Sequence, residues 1–421
     1  MRPAVTTAPA SPPVPVPQRA GAAADRRTSW VEARRRASAL GASCATSTVA
    51  VALDAAHGLV LREPVHARVA LPPHAASAMD GWAVAGEPPW LIGAPIDAGD
   101  APPREPLANG TARPICTGAP LPPGTHGVLR RENGEERTHD GRRELHRTSH
   151  ARRDEPRAAE HMRPSGEEAL AGELLIGAGT PLTPPRIALS AAAGHDLLAV
   201  AARPRVDLLV LGDELVRSGL PRPGSIRDVV TPAFPAVLTA LGAAAPRVNR
   251  CGDDRDATEA ALAASDADLL IVTGGSSRGR TDHARAAARA VGVRWHVDQV
   301  AMRPGHPVAF GRRADGGAIL LLPGNPFAAY AALLSFGEPI LRGMLQNTSG
   351  RSRVVRLAES FGGHHGDTRL VAVSIQDDGA RALDLQGSGM LRGLAAADGL
   401  AVVQPGMGAT GDSVPLLSLP W

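Results

Sequence analysis

From residue 206 onward, short hydrophobic runs alternate with longer stretches of mixed character. The runs are typical of buried strands, because they are rich in Val, Leu and Ile and end at Gly, Pro or hydroxyl residues. The stretches between them are typical of helices. Strands that alternate with helices predict a parallel sheet covered on both faces. The six segments are, in order, VDLLVLG, PAFPAVLTALGA, DADLLIVTGG, DHARAAARAVG, GGAILLLPGNP and FAAYAALLSF.

The pattern differs on either side of this region. Ser29 and Glu32 form a capping-box pattern that predicts a helix extending to about Leu40. In residues 50–130, Pro and Gly alternate with short apolar pieces, which favours small strands and turns over helices. After about residue 351 the chain again has short β-like segments, such as RLVAVSI, separated by glycine turns.

Residues 130–157 are rich in Arg, Asp and Glu and contain hardly any apolar residue apart from Leu145. Such a run is typical of a solvated loop, and a basic docking surface is the alternative interpretation.

These patterns predict a multidomain α/β protein. Its centre is a doubly wound, mostly parallel sheet domain, accompanied by a helical linker domain, a small β-rich domain and a C-terminal β-barrel-like domain. The expected ranges are a disordered tail at 1–28, a discontinuous helical linker domain at 29–54 plus 158–204, a small β domain at 55–157 with its charged loop at 130–157, the α/β domain at 205–346 and the C-terminal β domain at 350–421.

Composition excludes several classes of protein. The formal net charge of the 421 residues is only +3, so we expect no nucleic-acid partner. The three cysteines are far apart and form no C-x-x-C pair, which argues against a zinc site or a disulfide framework. The chain has no signal-peptide pattern and no run of about eighteen apolar residues, so we expect a cytoplasmic protein without a membrane span.

Polar residues follow three of the predicted strands, at Gly212-Asp213-Glu214, at Thr273 to Asp282 and at Leu322 to Pro326. Ligands of doubly wound sheets bind beyond the carboxyl ends of the strands, so we expect these loops to converge on one crevice. Each loop alone is also compatible with an ordinary turn or helix start. Together they predict a site for a phosphorylated ligand with a divalent metal.

The second loop carries the strongest signal for a phosphate. Gly274 and Gly275 allow a tight turn that brings backbone N–H groups close to an anion, and Asp282 is placed to hold a metal over it. In the third loop, Asn325 suits an N-cap and Pro326 a first helical residue, so that free N–H groups face an anion.

Between these two loops, Arg303 and His306 stand three residues apart on a proline-stiffened segment. This spacing favours the positioning of an anion. For His306, a structural hydrogen bond from a neutral imidazole is the alternative.

Taken together, these motifs resemble the MoeA family, the molybdopterin molybdenumtransferases, which includes the C-terminal domain of gephyrin. The resemblance runs from about residue 29 to the end. The segments that carry it are Ser77–Val84 (SAMDGWAV), Ile115–Pro122 (ICTGAPLP), Gly212–Leu215, Thr273–Gly279 with Asp282, Val300–Phe310, Leu322–Pro326 and Gly387–Leu391.

The resemblance implies a molybdopterin-binding, MogA-like central domain and a role in molybdenum cofactor biosynthesis. The implied reaction inserts molybdenum from molybdate into adenylylated molybdopterin and releases AMP with the help of Mg²⁺. A homodimer is implied, in which Asp80 reaches the active site of the other subunit. The implied catalytic and metal-binding residues are Asp80, Glu214 and Asp282. The implied substrate-binding residues are Thr117, Asp228, Thr273, Gly274, Gly275, Ser276, Arg303, His306, Pro323, Gly324, Asn325 and Pro326.

The chain departs from the family pattern at several of these positions. The family usually has lysine at the positions of Arg303 and His306, and valines at those of Ser276 and Arg278. Asp367 also stands where relatives frequently have a basic residue. A histidine with an ordinary pKa of about 6.5 is mostly neutral at pH 7, so we expect molybdate affinity to rise below about pH 6.5.

Two alternatives stay open. The first is a molybdopterin adenylyltransferase, which resembles only residues 205–345. The second is a catalytically weakened binding or scaffold protein of the gephyrin type. Release of AMP with incorporation of molybdenum would distinguish the proposed enzyme from both.

Overall fold

The first helix begins where its N-cap predicts. The protein is described by a computed structural model over residues 27–275, 283–350, 353–362 and 366–421. The Ser29 hydroxyl accepts a hydrogen bond from the Glu32 N–H at 3.3 Å, and the helix α1 (Trp30–Ser43) follows. The Glu32 carboxylate pairs with Arg35 and Arg36 on the helix surface. The N-cap prediction is therefore confirmed, and the acidic residue stabilises the helix through ion pairs.

The N-terminal part of the chain is mostly β-structure. Its elements are β1 (Thr28–Ser29), α1, β2 (Thr48–Ala52), β3 (Val65–His66), β4 (Ala76–Ser77), β5 (Gly81–Ala85), β6 (Trp90–Ile92), β7 (Thr111–Ile115), β8 (Gly127–Arg130), β9 (Gly134–His139), β10 (Arg142–Arg147), β11 (Met162–Arg163), β12 (Leu174–Ile176), α2 (Pro184–Ala192) and β13 (Leu197–Ala201). One sheet has the order β8-β5-β7-β6-β10-β9. Three separate two-stranded sheets are formed by the pairs β11-β4, β12-β3 and β13-β2.

The ranges of the expected helical linker domain contain α1 and α2 but also several short strands. One strand pair joins its two segments, because β13 pairs with β2 along its whole length. The helix α1 is not part of that unit. Trp30, Ala33 and Leu40 are buried in the core of the α/β region.

The charged run 130–157 is not simply a loop, since it contains the hairpin of β9 and β10. The turn is Asp140-Gly141, and both residues have a positive φ, at 47° and 74°. An Asp-Gly pair is a strong hairpin signal that the composition of the run obscured. Leu145 is fully buried against the sheet, while Arg143 pairs across the hairpin with Glu136 at 2.6 Å. One apolar anchor and cross-strand ion pairs make this charged segment part of the small β domain.

The α/β region alternates strands and helices as predicted. Its elements are β14 (Val206–Leu211), β15 (Leu215–Val216), β16 (Ile226–Arg227), α3 (Phe234–Ala240), β17 (Arg247–Cys251), α4 (Arg255–Ala264), β18 (Leu269–Thr273), α5 (Ala284–Ala290), β19 (Arg294–Val297), β20 (Val300–Arg303), β21 (Ala309–Arg312), β22 (Ala318–Leu322), α6 (Pro326–Ala332), a π-helical turn (Leu333–Gly337) and α7 (Glu338–Met344).

The sheet of this region has the order β17-β14-β18-β22-β21-β19, with the first four strands parallel. Leu208 and Ile271 face a core shared with α1, α3, α6 and α7. Leu209 and Val272, one position further along each strand, face the opposite core with α4 and α5. This alternation explains the continuous hydrophobic runs, because both faces of each strand are buried. The doubly wound, mostly parallel sheet is confirmed.

The C-terminal part contains β23 (Arg353–Arg356), β24 (Thr368–Gln376), β25 (Gly379–Ala382), α8 (Arg392–Ala395), β26 (Gly399–Val403) and β27 (Ser413–Ser418). They build a sheet in the order β1-β20-β24-β26-β27-β23, and β25 pairs with β24. An isolated bridge joins Leu357, directly after β23, to Ala380 of β25, and the barrel-like form of this domain stays a prediction. Two strands come from outside the expected domain, since Thr28 pairs with Val300 and Met302 with Thr368. Thr28, which was expected to belong to the tail, is therefore part of a sheet, and residues 1–26 lie outside the described residues. The C-terminal sheet is joined to the α/β region through β20.

Across the described ranges, no helix has both the length and the hydropathy to cross a membrane.

Candidate active site

Three strand ends lie next to one another at one edge of the α/β sheet. In the parallel register, Val210 of β14 pairs with Thr273 of β18, which pairs with Leu322 of β22. The residues that follow these strands therefore leave the sheet side by side. The structure thus brings together the starts of the three polar loops, as the sequence predicts.

The second loop turns through two glycines with left-handed backbone, Gly274 at φ 85° and Gly275 at φ 54°. A Cβ atom on Gly274 would lie 2.5 Å from the carbonyl oxygen of Leu211, at the end of the neighbouring strand. The third loop is also near, because a Cβ atom on Gly324 would lie 3.6 Å from the Gly274 Cα atom. Only glycine fits the position of Gly274, where the chain passes close to the end of β14. Ser276, Arg278 and Asp282 lie outside the described residues.

The loop after β14 carries exposed carboxylates. The Glu214 carboxylate folds back over Gly212, where a Cβ atom would lie 2.4 Å from Glu214 Oε2. The Asp213 N–H donates to Asp253 Oδ2 at 3.5 Å, so a carboxylate from the loop after β17 joins the site. Asp253 was not predicted from the sequence, although it also follows a strand of the same sheet. Among the described residues, no three His, Cys, Asp or Glu side chains cluster as a metal site.

Asp228 has a structural role in the described residues. Its side chain is buried, and Oδ1 accepts hydrogen bonds from the N–H groups of Val230 and Thr231, both at 3.0 Å. Arg250 approaches the other oxygen at 3.8 Å. Burial by itself raises the pKa of Asp228, but the hydrogen bonds and Arg250 outweigh it and hold the pKa below its ordinary value. The carboxylate therefore stabilises the turn that leads to α3, and substrate binding by Asp228 stays a prediction.

A cavity of about 770 Å³ lies between the α/β region and the C-terminal sheet. Four of the predicted residues line it, namely Arg303, His306, Pro323 and Asn325. The other polar lining residues were not predicted, because they come from the N-terminal strand and from the C-terminal part of the chain. They are Arg27, Ser360, Arg369, Asp384, Gln386 and Ser388.

The charge of this cavity is set by arginines and by one buried carboxylate. Asp367 is only 4% exposed, and its two oxygens pair with Arg27 Nη1 at 2.8 Å and with Arg303 Nε at 2.7 Å. Arg369 donates to the carbonyl oxygen of Gly362 at 2.7 Å. Partial burial, together with the positive charges of Arg27 and Arg303, lowers the pKa of His306 below its ordinary value. The histidine is therefore neutral at pH 7, and the arginines supply the positive charge.

The N-terminus of α6 is less open than predicted. Asn325 is the N-cap and Pro326 the first helical residue, as expected, but the Asn325 side chain does not cap the helix. Its Nδ2 atom donates to Ser388 Oγ at 3.2 Å, and the Ala328 N–H donates to the Ser388 carbonyl oxygen at 3.1 Å. Part of the expected anion site is therefore occupied by the Gly387–Leu391 turn, which fixes the C-terminal domain beside the strand ends.

Asp80 and Thr117, predicted from separate motifs, are direct partners. Asp80 Oδ1 accepts hydrogen bonds from the Thr117 N–H at 2.7 Å and from the Thr117 hydroxyl at 2.9 Å. These two bonds, and the nearby charge of Arg131, hold the pKa of Asp80 below its ordinary value. An exposed and ionised carboxylate is thus fixed in direction at the start of β5. Its hydrogen bonds in the described residues stay within the small β domain.

Three family models match the chain in succession. They are the MoeA N-terminal region (domain I and II) over residues 28–194, the probable molybdopterin binding domain over 207–343 and the MoeA C-terminal region (domain IV) over 354–419.

Similar proteins cover most of the chain. It is 35% identical over 312 residues to "Molybdopterin molybdenumtransferase 2" of Mycobacterium tuberculosis, across 70% of this chain and 74% of the relative. It is 33% identical over 310 residues to "Molybdopterin molybdenumtransferase" of Nostoc sp., across 70% of this chain and 69% of the relative. The solved structure of a molybdopterin biosynthesis MoeA protein from Pyrococcus horikosii is similar in fold. It has a TM-score of 0.76 and 21% sequence identity, and the match covers 94% of this chain and 100% of that chain.

Proposed function

The chain belongs to the MoeA family of molybdopterin molybdenumtransferases, transferases of molybdenum cofactor biosynthesis, and we propose that it inserts molybdenum from molybdate into adenylylated molybdopterin with release of AMP. One observation carries this proposal. Pro323 and Asn325 line the arginine-containing cavity, while Gly324 between them lies against Gly274 of the phosphate loop. The proposed phosphate site and the proposed site for a second anion are therefore neighbours.

Each half of this site suits one substrate. The tight turn at Gly274 and Gly275 brings backbone N–H groups close to a bound anion, which suits the pyrophosphate of the adenylylated pterin. The guanidinium groups of Arg303 and Arg369 suit a tetrahedral oxyanion such as molybdate. Binding the two substrates side by side makes the transfer step effectively intramolecular.

The residues fit Mg²⁺ that is held jointly with substrate. Mg²⁺ is usually bound by one or two carboxylates together with substrate phosphates and water, so a cage of protein ligands is not required. Glu214 and Asp213 offer such oxygens at the end of β14, and Asp282 is a further predicted ligand. When bound, Mg²⁺ supplies Lewis-acid assistance to cleavage of the phosphoanhydride. The protein itself orients the pterin phosphates through the backbone of the glycine loop.

We also propose a homodimer in which Asp80 completes the active site of the partner subunit. The exposed carboxylate of Asp80 is held by Thr117 and forms no hydrogen bond with the described residues of the α/β region. Subunit complementation tests this arrangement. Mixed dimers of Asp80→Ala and Glu214→Ala chains should regain activity, because one of their two sites is intact. Mixtures as inactive as each variant alone would reject action across the interface.

The activity test combines adenylylated molybdopterin, molybdate and Mg²⁺ with the purified protein. Released AMP and incorporated molybdenum should appear in equal amounts. Asp80→Ala and Asp282→Ala should lower both, whereas Glu105→Ala removes an exposed carboxylate of the small β domain and serves as the matched control. Full activity in Asp80→Ala and Asp282→Ala would reject the site assignment.

One observation favours a second candidate function, a binding or scaffold protein with weak turnover. Asp367 neutralises Arg303, and His306 is neutral at pH 7, so the cavity has less positive charge than the family's lysines would provide. Binding of adenylylated molybdopterin without AMP release would identify the scaffold. Formation of the adenylylated compound from molybdopterin and ATP would instead identify an adenylyltransferase. The matches at residues 28–194 and 354–419 count against that last alternative.

A further inference from the structure

Asp367 forms ion pairs with both arginines at one side of the cavity. The carboxylate is 4% exposed, whereas the Arg303 side chain is 60% exposed and reaches into the cavity. Arg27 pairs with the other oxygen of the same carboxylate. A buried carboxylate with one guanidinium on each oxygen already has the contacts that a bound tetrahedral anion would make with these arginines.

The position of Asp367 follows from the sheet. β20 pairs in parallel with β24, with Met302 opposite Thr368 and Arg303 opposite Arg369. The residue before β24 is therefore held beside the end of β20. Because β1 pairs with the other edge of β20, Arg27 is brought to the same place. Backbone pairing on both sides of β20 makes this arrangement part of the fold.

The charged groups of the cavity show what Asp367 does to an incoming anion. Three arginines, Arg27, Arg303 and Arg369, face it, together with the carboxylate of Asp384 and the adjoining carboxylate of Asp367. Asp384 forms no ion pair among the described residues, so it reduces the positive charge without holding an arginine. Asp367 both reduces the charge and engages two guanidinium groups.

We propose that Asp367 is an internal counter-ion that sets the oxyanion affinity of this cavity, because an incoming anion must take Arg303 and Arg27 from it. This inference rests on the proposed binding of molybdate in the cavity. When an anion binds the same guanidinium groups, its binding free energy is only the difference between its own contacts with them and the contacts that Asp367 gives up. The residue therefore lowers the affinity for any tetrahedral dianion and determines how strong a competitor must be to displace it.

The test measures binding of molybdate, and separately of sulfate, to the full chain by calorimetry. Asp367→Asn keeps the shape of the side chain and removes its charge, so both anions should bind on the order of tenfold more tightly. Asp384→Asn removes the same charge from the same cavity without releasing an arginine, and should change affinity by less than about threefold. Arg303→Ala should abolish the gain when combined with Asp367→Asn.

Unchanged or weaker binding in Asp367→Asn overturns the counter-ion role, as it would show that the carboxylate positions the arginines for the ligand. An equal gain in Asp384→Asn also overturns it, since net charge alone would then explain the effect. Absence of anion binding in every variant overturns it as well. If Asp367→Asn unfolds, Asp367→Ser is measured under the same criteria. A protein that shows the predicted gain but inserts no molybdenum counts against the proposed function alone.

Discussion

Replacing Gly274 with alanine tests whether the phosphate loop is built around a backbone contact that only glycine permits. The left-handed φ of 85° costs an alanine about 1 kcal/mol. In addition, its Cβ atom would lie 2.5 Å from the Leu211 carbonyl oxygen, inside the 3.0 Å that real Cβ contacts respect. This oxygen belongs to β14, which is hydrogen-bonded between β17 and β18 and cannot move away easily. Overpacking of this kind costs about 2 kcal/mol more.

Gly316 provides the matched control. It also has a left-handed φ, at 95°, but no heavy atom lies within 4 Å of the place of its Cβ atom. Gly316→Ala should therefore cost only the backbone term of about 1 kcal/mol, against about 3 kcal/mol for Gly274→Ala. Urea unfolding followed by tryptophan fluorescence measures both values, because Trp30 and Trp295 pack in the two cores of the α/β region.

Ligand binding should differ between the two variants in the same way as stability does. Displacement of the Gly274 backbone moves the N–H groups that face the phosphates, so adenylylated molybdopterin should bind roughly tenfold or more weakly to Gly274→Ala. Binding to Gly316→Ala should be unchanged. Equal losses of stability in the two variants, or full ligand affinity in Gly274→Ala, would refute the reasoning, because the loop would then relax without cost.

Three further predictions concern protonation and hydrogen bonding. Oxyanion affinity should rise as the pH falls, because protonation of His306 adds a positive charge to the cavity. The pKa of His306 is lowered, so this rise should occur below pH 6.5, the ordinary histidine value that the sequence alone suggests. A His306→Lys variant should show a flatter profile for sulfate binding, and identical profiles would contradict the role of His306. Thr117→Val removes one hydrogen bond to Asp80 and so raises its pKa, and the acid limb of kcat/KM should move to higher pH. Thr125→Val removes a hydroxyl that donates to the Pro122 carbonyl oxygen, and should leave the acid limb in place. The Thr258 hydroxyl donates its proton to the Asp254 carbonyl oxygen at 2.7 Å, so it must accept a hydrogen bond from His283 Nε2 at 2.9 Å. ¹⁵N NMR should therefore find that neutral His283 is protonated on Nε2. A tautomer protonated on Nδ1 would contradict this hydrogen-bond network.

The parts of the fold that the sequence predicts are those with a strong local signal. The run at Val206–Leu211 is buried on both faces, so its hydrophobicity is continuous and its strand assignment is correct. The three strand-end loops converge because parallel strands present the same ends at the same edge. By contrast, the hairpin at Gly134–Arg147 carries its charges on exposed positions and only one buried anchor, so composition concealed it.

The sequence predicted the cavity residues that lie between β20 and the start of α6, namely Arg303, His306, Pro323 and Asn325. Arg27, Arg369 and Ser388 reach the cavity through the pairing of β1, β20 and β24 and through docking of the C-terminal turn on α6. These contacts join segments more than 60 residues apart, as between Asn325 and Ser388. No local pattern encodes such contacts, because they depend on how finished sheets and helices pack.

The two unusual residues of the cavity, His306 and Asp367, act on one shared set of charges. The positive charges of Arg27 and Arg303 lower the pKa of His306, while the negative charge of Asp367 opposes them and raises it. Asp367 therefore has two opposite effects on an anion, since it occupies the arginines but also makes protonation of His306 easier. At neutral pH the first effect prevails, because His306 is uncharged with or without Asp367. At acidic pH, Asp367 favours protonation of His306, which itself attracts an anion. The increase in anion affinity on removal of Asp367 should therefore become smaller as the pH falls. The oxyanion affinity of this cavity is thus a property of the Arg27–Arg303–Asp367–His306 group, and neither departure from the family pattern has a fixed cost of its own.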